Sequence, residues 1–151
     1  MIRVQEAPFD PGAELAGFKP GAAAGATVMF VGTVRELSEG REISAMTLEH
    51  YPAMTTRALA DIEAEARRRW PLEDVLVIHR HGRLEPGEDI VLVITRASHR
   101  NAAFEACAFL MDWLKTKAPF WKLEADARGE RWVEARSSDD EAARRWSRNE
   151  G

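Results

Sequence analysis

The chain has 151 residues, of which 45% are hydrophobic and 30% are charged, and its formal net charge at pH 7 is −4. A chain of this length forms one domain by default, and the negative charge argues against general nucleic-acid binding, which needs a basic face. No run approaches the ~20 apolar residues of a membrane span. The single cysteine excludes an internal disulfide, and the N-terminus lacks the apolar core of a signal peptide, so the cytoplasm is the expected compartment.

The first half of the chain shows both strand and helix patterns. Apolar β-branched runs predict buried strands, and prolines at a first helical position predict where helices begin. The predicted elements are a strand at 2–6, a short helix from Asp10-Pro11 to Pro20, strands at 26–34 and 43–51, and a long helix from Pro52 to just before Pro71.

The second half continues with two strands, a helix and two further strands. The predicted elements are strands at 75–78 and 90–95, a helix from an N-cap at Ser98 to about Lys115, and strands at 120–124 and 131–135. Strands and helices do not alternate strictly, so we predict an α+β fold rather than a doubly wound one. Residues 1–151 form a single predicted domain, whose tail is expected to be less ordered from about Ser137.

The segment from Lys115 to Glu124 places cations on both sides of a break between a helix and a strand. Pro119 cannot continue the helix and disfavours the α conformation of Ala118. After the break, Lys122 and Glu124 share one face of a strand, about 7 Å apart. Lys115 lies in the last helical turn and could lean over the same spot. The cluster could make an anion site or an amine with a tuned pKa, or it could be a solvated helix end that favours lysine, and the spacing alone favours the solvated helix end.

Two other positions could bind an anion. Ser98, His99 and Arg100 come where a strand gives way to a helix N-terminus, whose free N–H groups attract negative charge. Arg35 directly follows a buried strand. A capped surface turn explains Ser98, His99 and Arg100 equally simply, and an exposed arginine at the start of a charged loop is the preferred explanation of Arg35 taken alone.

The histidines at 79 and 81 and the single cysteine do not indicate a metal site or a nucleophile. His79 and His81 are two apart on a predicted strand, hence on one face, but two imidazoles do not make a zinc site without two more ligands. Cys107 falls on the apolar stripe of its helix, so we predict a packing role rather than a nucleophilic one.

Several segments, in their order along the chain, match one known family. They are Phe30-Val-Gly-Thr-Val-Arg35, Leu48-Glu-His-Tyr-Pro52, Ser98-His-Arg-Asn-Ala-Ala-Phe104, Leu114-Lys-Thr-Lys-Ala-Pro-Phe-Trp-Lys-Leu-Glu124 and Trp132-Val-Glu-Ala-Arg136. Together they resemble the family of large, catalytic subunits of molybdopterin synthase, over residues 2–146.

This resemblance implies a fold, an activity and an assembly. The fold would be of the α/β-hammerhead type, with helices packed on mixed or antiparallel sheet. The large subunit would form a homodimer, and a small ubiquitin-like subunit would dock on each end, giving a heterotetramer. The thiocarboxylate on the small subunit's C-terminal tail would supply sulfur to cyclic pyranopterin monophosphate, making the dithiolene of molybdopterin. No metal or organic cofactor is implied.

The resemblance also implies a set of site residues. Lys115 and Lys122 would be the catalytic pair. The residues that contact substrate would be Thr33, Val34, Arg35, His99, Arg100, Lys115, Lys122, Leu123 and Glu124. Leu123 stands where the family often has a basic residue, and no role is implied for Lys117. The main alternative is a non-catalytic binding module that captures a partner's C-terminal carboxylate in the same cationic pocket.

Overall fold

The computed structural model describes residues 1–38, 40–133 and 137–147. In chain order the elements are β1 (Ile2–Gln5), α1 (Pro11–Gly17), β2 (Ala26–Thr33), β3 (Leu37–Ser38), β4 (Arg41–His50), α2 (Pro52–Arg69), β5 (Leu72–Arg80), β6 (Gly82–Leu84), β7 (Asp89–Ala97), α3 (Arg100–Lys117), β8 (Phe120–Asp126), β9 (Gly129–Val133) and α4 (Ser137–Ser147). All of the strands and helices predicted above are present, and β3, β6 and α4 are additional.

Helix boundaries follow local signals in the sequence. The Asp10 side chain accepts a hydrogen bond from the Ala13 backbone N–H and caps α1. The α3 helix ends at Lys117, and Ala118 is extended (φ −75°, ψ 132°), as predicted from Pro119. The predicted N-cap at Ser98 is wrong, because the helix begins one residue later with His99 as its cap and no side-chain cap hydrogen bond.

The main sheet has helices on both faces. Its strand order is β1-β5-β7-β2, with β1 parallel to β5 and the other pairs antiparallel. Helices α2 and α3 cover one face, whose buried side chains include Leu59, Val77, Val93, Phe109 and Leu110. Side chains of α1 and its flanks cover the other face. Burial of these apolar side chains is the principal force holding the layers together.

A second, antiparallel sheet packs beside the first. Its strand order is β3-β4-β8-β9, and β6 pairs with β4. A smaller core of Val34, Ile43, Met46, Leu48 and Leu84 lies beneath it. The two sheets and their segregated helices confirm the predicted α+β class.

The last helix docks against α3. Trp146 is buried, its Nε1–H donates to Asp112 Oδ2 at 2.6 Å, and Arg145 pairs with the same carboxylate at 2.8 Å. Arg69 also donates to the Trp146 carbonyl at 2.7 Å. The expectation that the tail is less ordered stays a prediction. The tail beyond residue 147 lies outside the described residues, and so do residues 134–136 of the Trp132–Arg136 motif.

Candidate functional site

A cavity of about 310 Å³ lies where the end of β2, the C-terminal end of α3 and the second sheet meet. This volume is at the lower end of the range for small-molecule sites. Its polar and charged lining residues are Thr33, Arg35, His79, Lys115, Lys122 and Asp139. Its apolar lining includes Val34, Met46, Leu48, Ile90, Met111, Leu114 and Phe120.

One wall comes from the chain just past β2. A shift in strand register between Gly32 and Thr33 ends the regular pairing with β7. Val34 is buried in the smaller core, and its backbone N–H and carbonyl are hydrogen bonded to Glu88 and Gly87 at 2.9 and 2.8 Å. The next side chain, Arg35, is exposed at the rim of the cavity. The fixed backbone at Val34 therefore holds the arginine at the cavity.

The two lysines reach the same cavity from different elements. Lys115 extends from the last turn of α3, and Lys122 from β8, after the break at Pro119. The Lys122 Nζ atom lies 3.9 Å from Oε1 of Glu124, whose side chain is 1% exposed. This ion pair confirms that Lys122 and Glu124 share one face of the strand, and Lys115 lines the same cavity as Lys122. A buried carboxylate holds a neighbouring ammonium in place, because the charge needs a partner.

Leu123 lies on the other face of β8. It pairs with Thr47 on β4 and Trp132 on β9, and it is absent from the cavity lining. Strand alternation explains this, since neighbours of Lys122 point the opposite way. The side chain that replaces a basic residue of the family therefore does not face the cavity in this chain.

His99 and Arg100 are remote from the lysines in the same chain. They lie at the N-terminal end of α3, whereas Lys115 lies fifteen positions after Arg100 on that helix. At 1.5 Å per residue the separation is about 22 Å. The cationic residues of the predicted site therefore do not all converge within a single copy of the chain. Both side chains are exposed.

A row of rings borders the cavity at the start of β8. The His79 ring stacks on Phe120 with centroids 4.0 Å apart and planes at 13°. The His50 ring lies 5.7 Å from Phe120 and 4.4 Å from His81. The prediction that His79 and His81 share one face of a strand is wrong. Strand β5 ends at Arg80, so His81 lies outside it, and Gly82 turns the chain with φ +86°. Sequence reasoning missed His79 as a cavity residue, because its contact with Phe120 is long-range.

Burial lowers the pKa of His79 to about 4. Positive charge on His50 or His81 lowers it further, and the hydrogen bond from Nδ1 to the Arg80 carbonyl at 2.8 Å opposes the shift. His79 is therefore neutral at pH 7. Burial also lowers the pKa of His50, with His81 adding to the effect and Glu49 opposing it.

The depressed pKa of His79 predicts acid sensitivity of the fold. The pKa of His79 in the folded chain lies below the pKa of 6.5 of a free imidazole. As the pH falls, the unfolded chain therefore binds a proton at His79 before the folded chain does. The stabilisation is present above pH 6.5 and is lost as the pH falls towards 4. We expect about 2 kcal/mol of unfolding free energy to disappear between pH 7 and pH 5. Urea titrations at both values should show this loss, and a much smaller one in His79→Phe. Equal losses in the two proteins would contradict the prediction.

Cys107 is unsuited to carrying sulfur. It is 5% exposed in the core beneath α3, and burial raises its thiol pKa to about 11. The thiolate is the reactive form, so this thiol is inert near neutral pH.

Replacing Cys107 with alanine should therefore leave any sulfur transfer intact. The variant should lose about 1 kcal/mol or more of unfolding free energy, because the missing sulfur leaves a small cavity. Denaturant titration measures the loss, and turnover of the folded variant measures the chemistry. Abolished turnover in a folded protein would show that Cys107 carries sulfur.

Within the described residues, no group of three or more His, Cys, Asp or Glu side chains is placed to hold a metal ion. In the same part of the chain, no helix has the length and apolar character needed to cross a membrane.

Comparison with known proteins identifies the family. Residues 4–117 match the family model described as MoaE protein. The molybdopterin synthase catalytic subunit of Pseudomonas aeruginosa is 58% identical over 146 residues, covering 96% of this chain and 97% of that protein. A molybdopterin biosynthesis MoaE protein from Burkholderia ambifaria has a similar structure, with a TM-score of 0.82, 54% identity and 97% of each chain covered. Molybdopterin synthase from Staphylococcus aureus gives a TM-score of 0.81 at 28% identity, covering 87% of this chain and 96% of that one. The chain therefore belongs to the MoaE family.

Proposed function

We propose that this chain is the catalytic subunit of molybdopterin synthase. It transfers sulfur from the thiocarboxylated C-terminus of a small ubiquitin-like subunit to cyclic pyranopterin monophosphate, and it works in the cytoplasm without a metal or organic cofactor. The observation that carries the proposal is the convergence of Arg35, Lys115 and Lys122, from three separate segments, on one cavity.

The cavity suits a ring compound that bears a phosphate. The planar guanidinium of Arg35 presents several N–H donors in a geometry that matches a phosphate group. The apolar wall formed by Met111, Leu114 and Phe120 suits the flat faces of a fused ring system. A lysine amine can transfer a proton or attack a carbon atom, so Lys115 and Lys122 supply the chemical groups.

The sulfur must come from another molecule. The only cysteine is buried and holds its proton at neutral pH. A thiocarboxylate at the end of a flexible tail satisfies this requirement, and the cavity opens to solvent at Arg35, where such a tail can enter.

The positions of His99 and Arg100 fit a homodimer. The family resemblance assigns both to the substrate, yet the length of α3 keeps them about 22 Å from Lys115 in the same chain. In a two-fold dimer each subunit gives its partner the same surface that it receives. We therefore infer that each cavity is completed by the exposed His99 and Arg100 of the second copy.

The decisive experiment is reconstitution. The purified chain, a thiocarboxylated small subunit and cyclic pyranopterin monophosphate should together yield molybdopterin, detected as its fluorescent oxidation product. The same small subunit with an ordinary carboxylate is the matched control and should yield none. If the two proteins bind but the thiocarboxylated form also gives no product, the non-catalytic capture of a C-terminal tail is the correct function.

A further inference from the structure

The wall of the cavity includes a hydrogen-bonding group, the His79 imidazole, to which the proposed chemistry gives no role. His79 lines the same cavity as both lysines, although neither the family motifs nor the charge pattern single it out. Its ring is held from two sides. Phe120 stacks on one face, and Nδ1 is 2.8 Å from the Arg80 carbonyl oxygen.

These contacts fix which ring nitrogen carries the proton. A carbonyl oxygen only accepts hydrogen bonds, so Nδ1 must be the protonated donor. In the neutral ring Nε2 then has a lone pair and acts as an acceptor. Among the described residues no side chain or backbone group donates to Nε2.

The surroundings make an acceptor at this point unusual. The charged groups on the cavity wall include the donors Arg35, Lys115 and Lys122, with Asp139 as an acceptor from α4. Two apolar lining residues are direct neighbours of His79, since Val91 pairs with it across β5 and β7 and Phe120 stacks on its ring. An acceptor bordered by apolar side chains discriminates between ligands, because it is left unsatisfied by any ligand without a donor there.

We propose that His79 is a substrate-positioning residue whose Nε2 atom accepts a hydrogen bond from a ring N–H or hydroxyl group of the bound substrate. The proposal rests on the proposed function, since it concerns the same cavity. The cationic side chains bind the anionic end of the substrate, and His79 fixes the orientation of its ring system. Both interactions are needed to present one carbon atom to the incoming sulfur, because a small misplacement costs much of the rate.

Two substitutions separate hydrogen bonding from packing. His79→Phe keeps a ring that can stack on Phe120 but has no acceptor, whereas His79→Gln loses the stack and keeps an amide oxygen near the position of Nε2. His81→Phe is the matched control, because His81 contacts His50 and does not line the cavity. The readouts are KM for cyclic pyranopterin monophosphate, kcat with saturating small subunit, affinity for the small subunit and unfolding temperature.

We expect His79→Phe to raise KM about tenfold, which corresponds to one hydrogen bond of about 1.4 kcal/mol, with affinity for the small subunit unchanged. His79→Gln should stay within about threefold of the wild-type KM despite a lower unfolding temperature, and His81→Phe should keep the wild-type KM. Wild-type KM and kcat in folded His79→Phe would overturn the proposal, and so would equal defects in both His79 variants. Failure of the proposed function is a different result, because the wild-type protein itself would then give no product.

Discussion

Replacing either Lys115 or Lys122 with alanine should lower the rate of sulfur transfer by about 10²–10⁴-fold, the usual effect of removing one positioned acid–base group. Both amines line the cavity, and no other lysine does so among the described residues. Affinity for the small subunit should change little, because each substitution removes one charge from inside a cavity rather than a docking surface. Single-turnover measurements at saturating substrate and small subunit isolate this chemical step.

Lys117 provides the control for Lys115. It lies in the same final turn of α3, but its Nζ atom lies 3.7 Å from the centre of the Trp113 ring, a cation–π contact. Lys117→Ala therefore makes the same change of charge and length without touching the cavity, and it should turn over normally. Wild-type turnover in both Lys115→Ala and Lys122→Ala would show that the cavity only binds.

Lys122→Ala needs a second variant, because it also removes a positive charge 3.9 Å from the buried Glu124. A buried carboxylate that loses a nearby cation can destabilise the protein by several kcal/mol. The double variant Lys122→Ala/Glu124→Gln removes the negative charge as well. If its unfolding temperature returns towards wild type while turnover stays low, the defect of Lys122→Ala lies in the chemistry.

The features of the site that local sequence patterns predict are set by residues close together in the sequence. Pro119 ends α3 through its own ring, and alternation along β8 places Lys122 with Glu124. That Arg35 lies in the same site as Lys115 is implied only by the family resemblance, because no local sequence pattern relates residues eighty positions apart. Local patterns also could not place His79 against Phe120, since that contact depends on how the two sheets pack.

The separation of His99 and Arg100 from Lys115 shows a different limit of the sequence. The resemblance supplies a set of residues without stating which copy of the chain contributes each one. The predicted helix already implies the separation, because a straight helix cannot bring together two residues fifteen positions apart, such as Arg100 and Lys115. Secondary structure therefore sets a distance limit that should be applied to any motif-derived site before its residues are assigned to one chain.

Mixed dimers give a direct test of which copy supplies Arg100. Arg100→Ala should weaken substrate binding, so both it and Lys115→Ala should be nearly inactive when assayed separately at substrate concentrations far below the wild-type KM. A dimer with one chain of each kind has one intact cavity, formed by Lys115 of the first chain and Arg100 of the second. Its other cavity carries both substitutions. Random assortment makes about half of the dimers mixed, and each mixed dimer has one intact cavity out of two. Coexpression should therefore restore about a quarter of wild-type activity.

The control pairs Lys115→Ala with Lys122→Ala, whose lysines line the same cavity of one chain. Every cavity in that mixture lacks one lysine, so no activity should return. Differently tagged chains allow the mixed dimers to be purified and their composition confirmed by mass spectrometry. If purified dimers of Arg100→Ala and Lys115→Ala stay inactive, Arg100 does not act across the dimer. If they regain about half of the wild-type activity per dimer, the exposed start of α3 in one subunit completes the cavity at the end of α3 in the other.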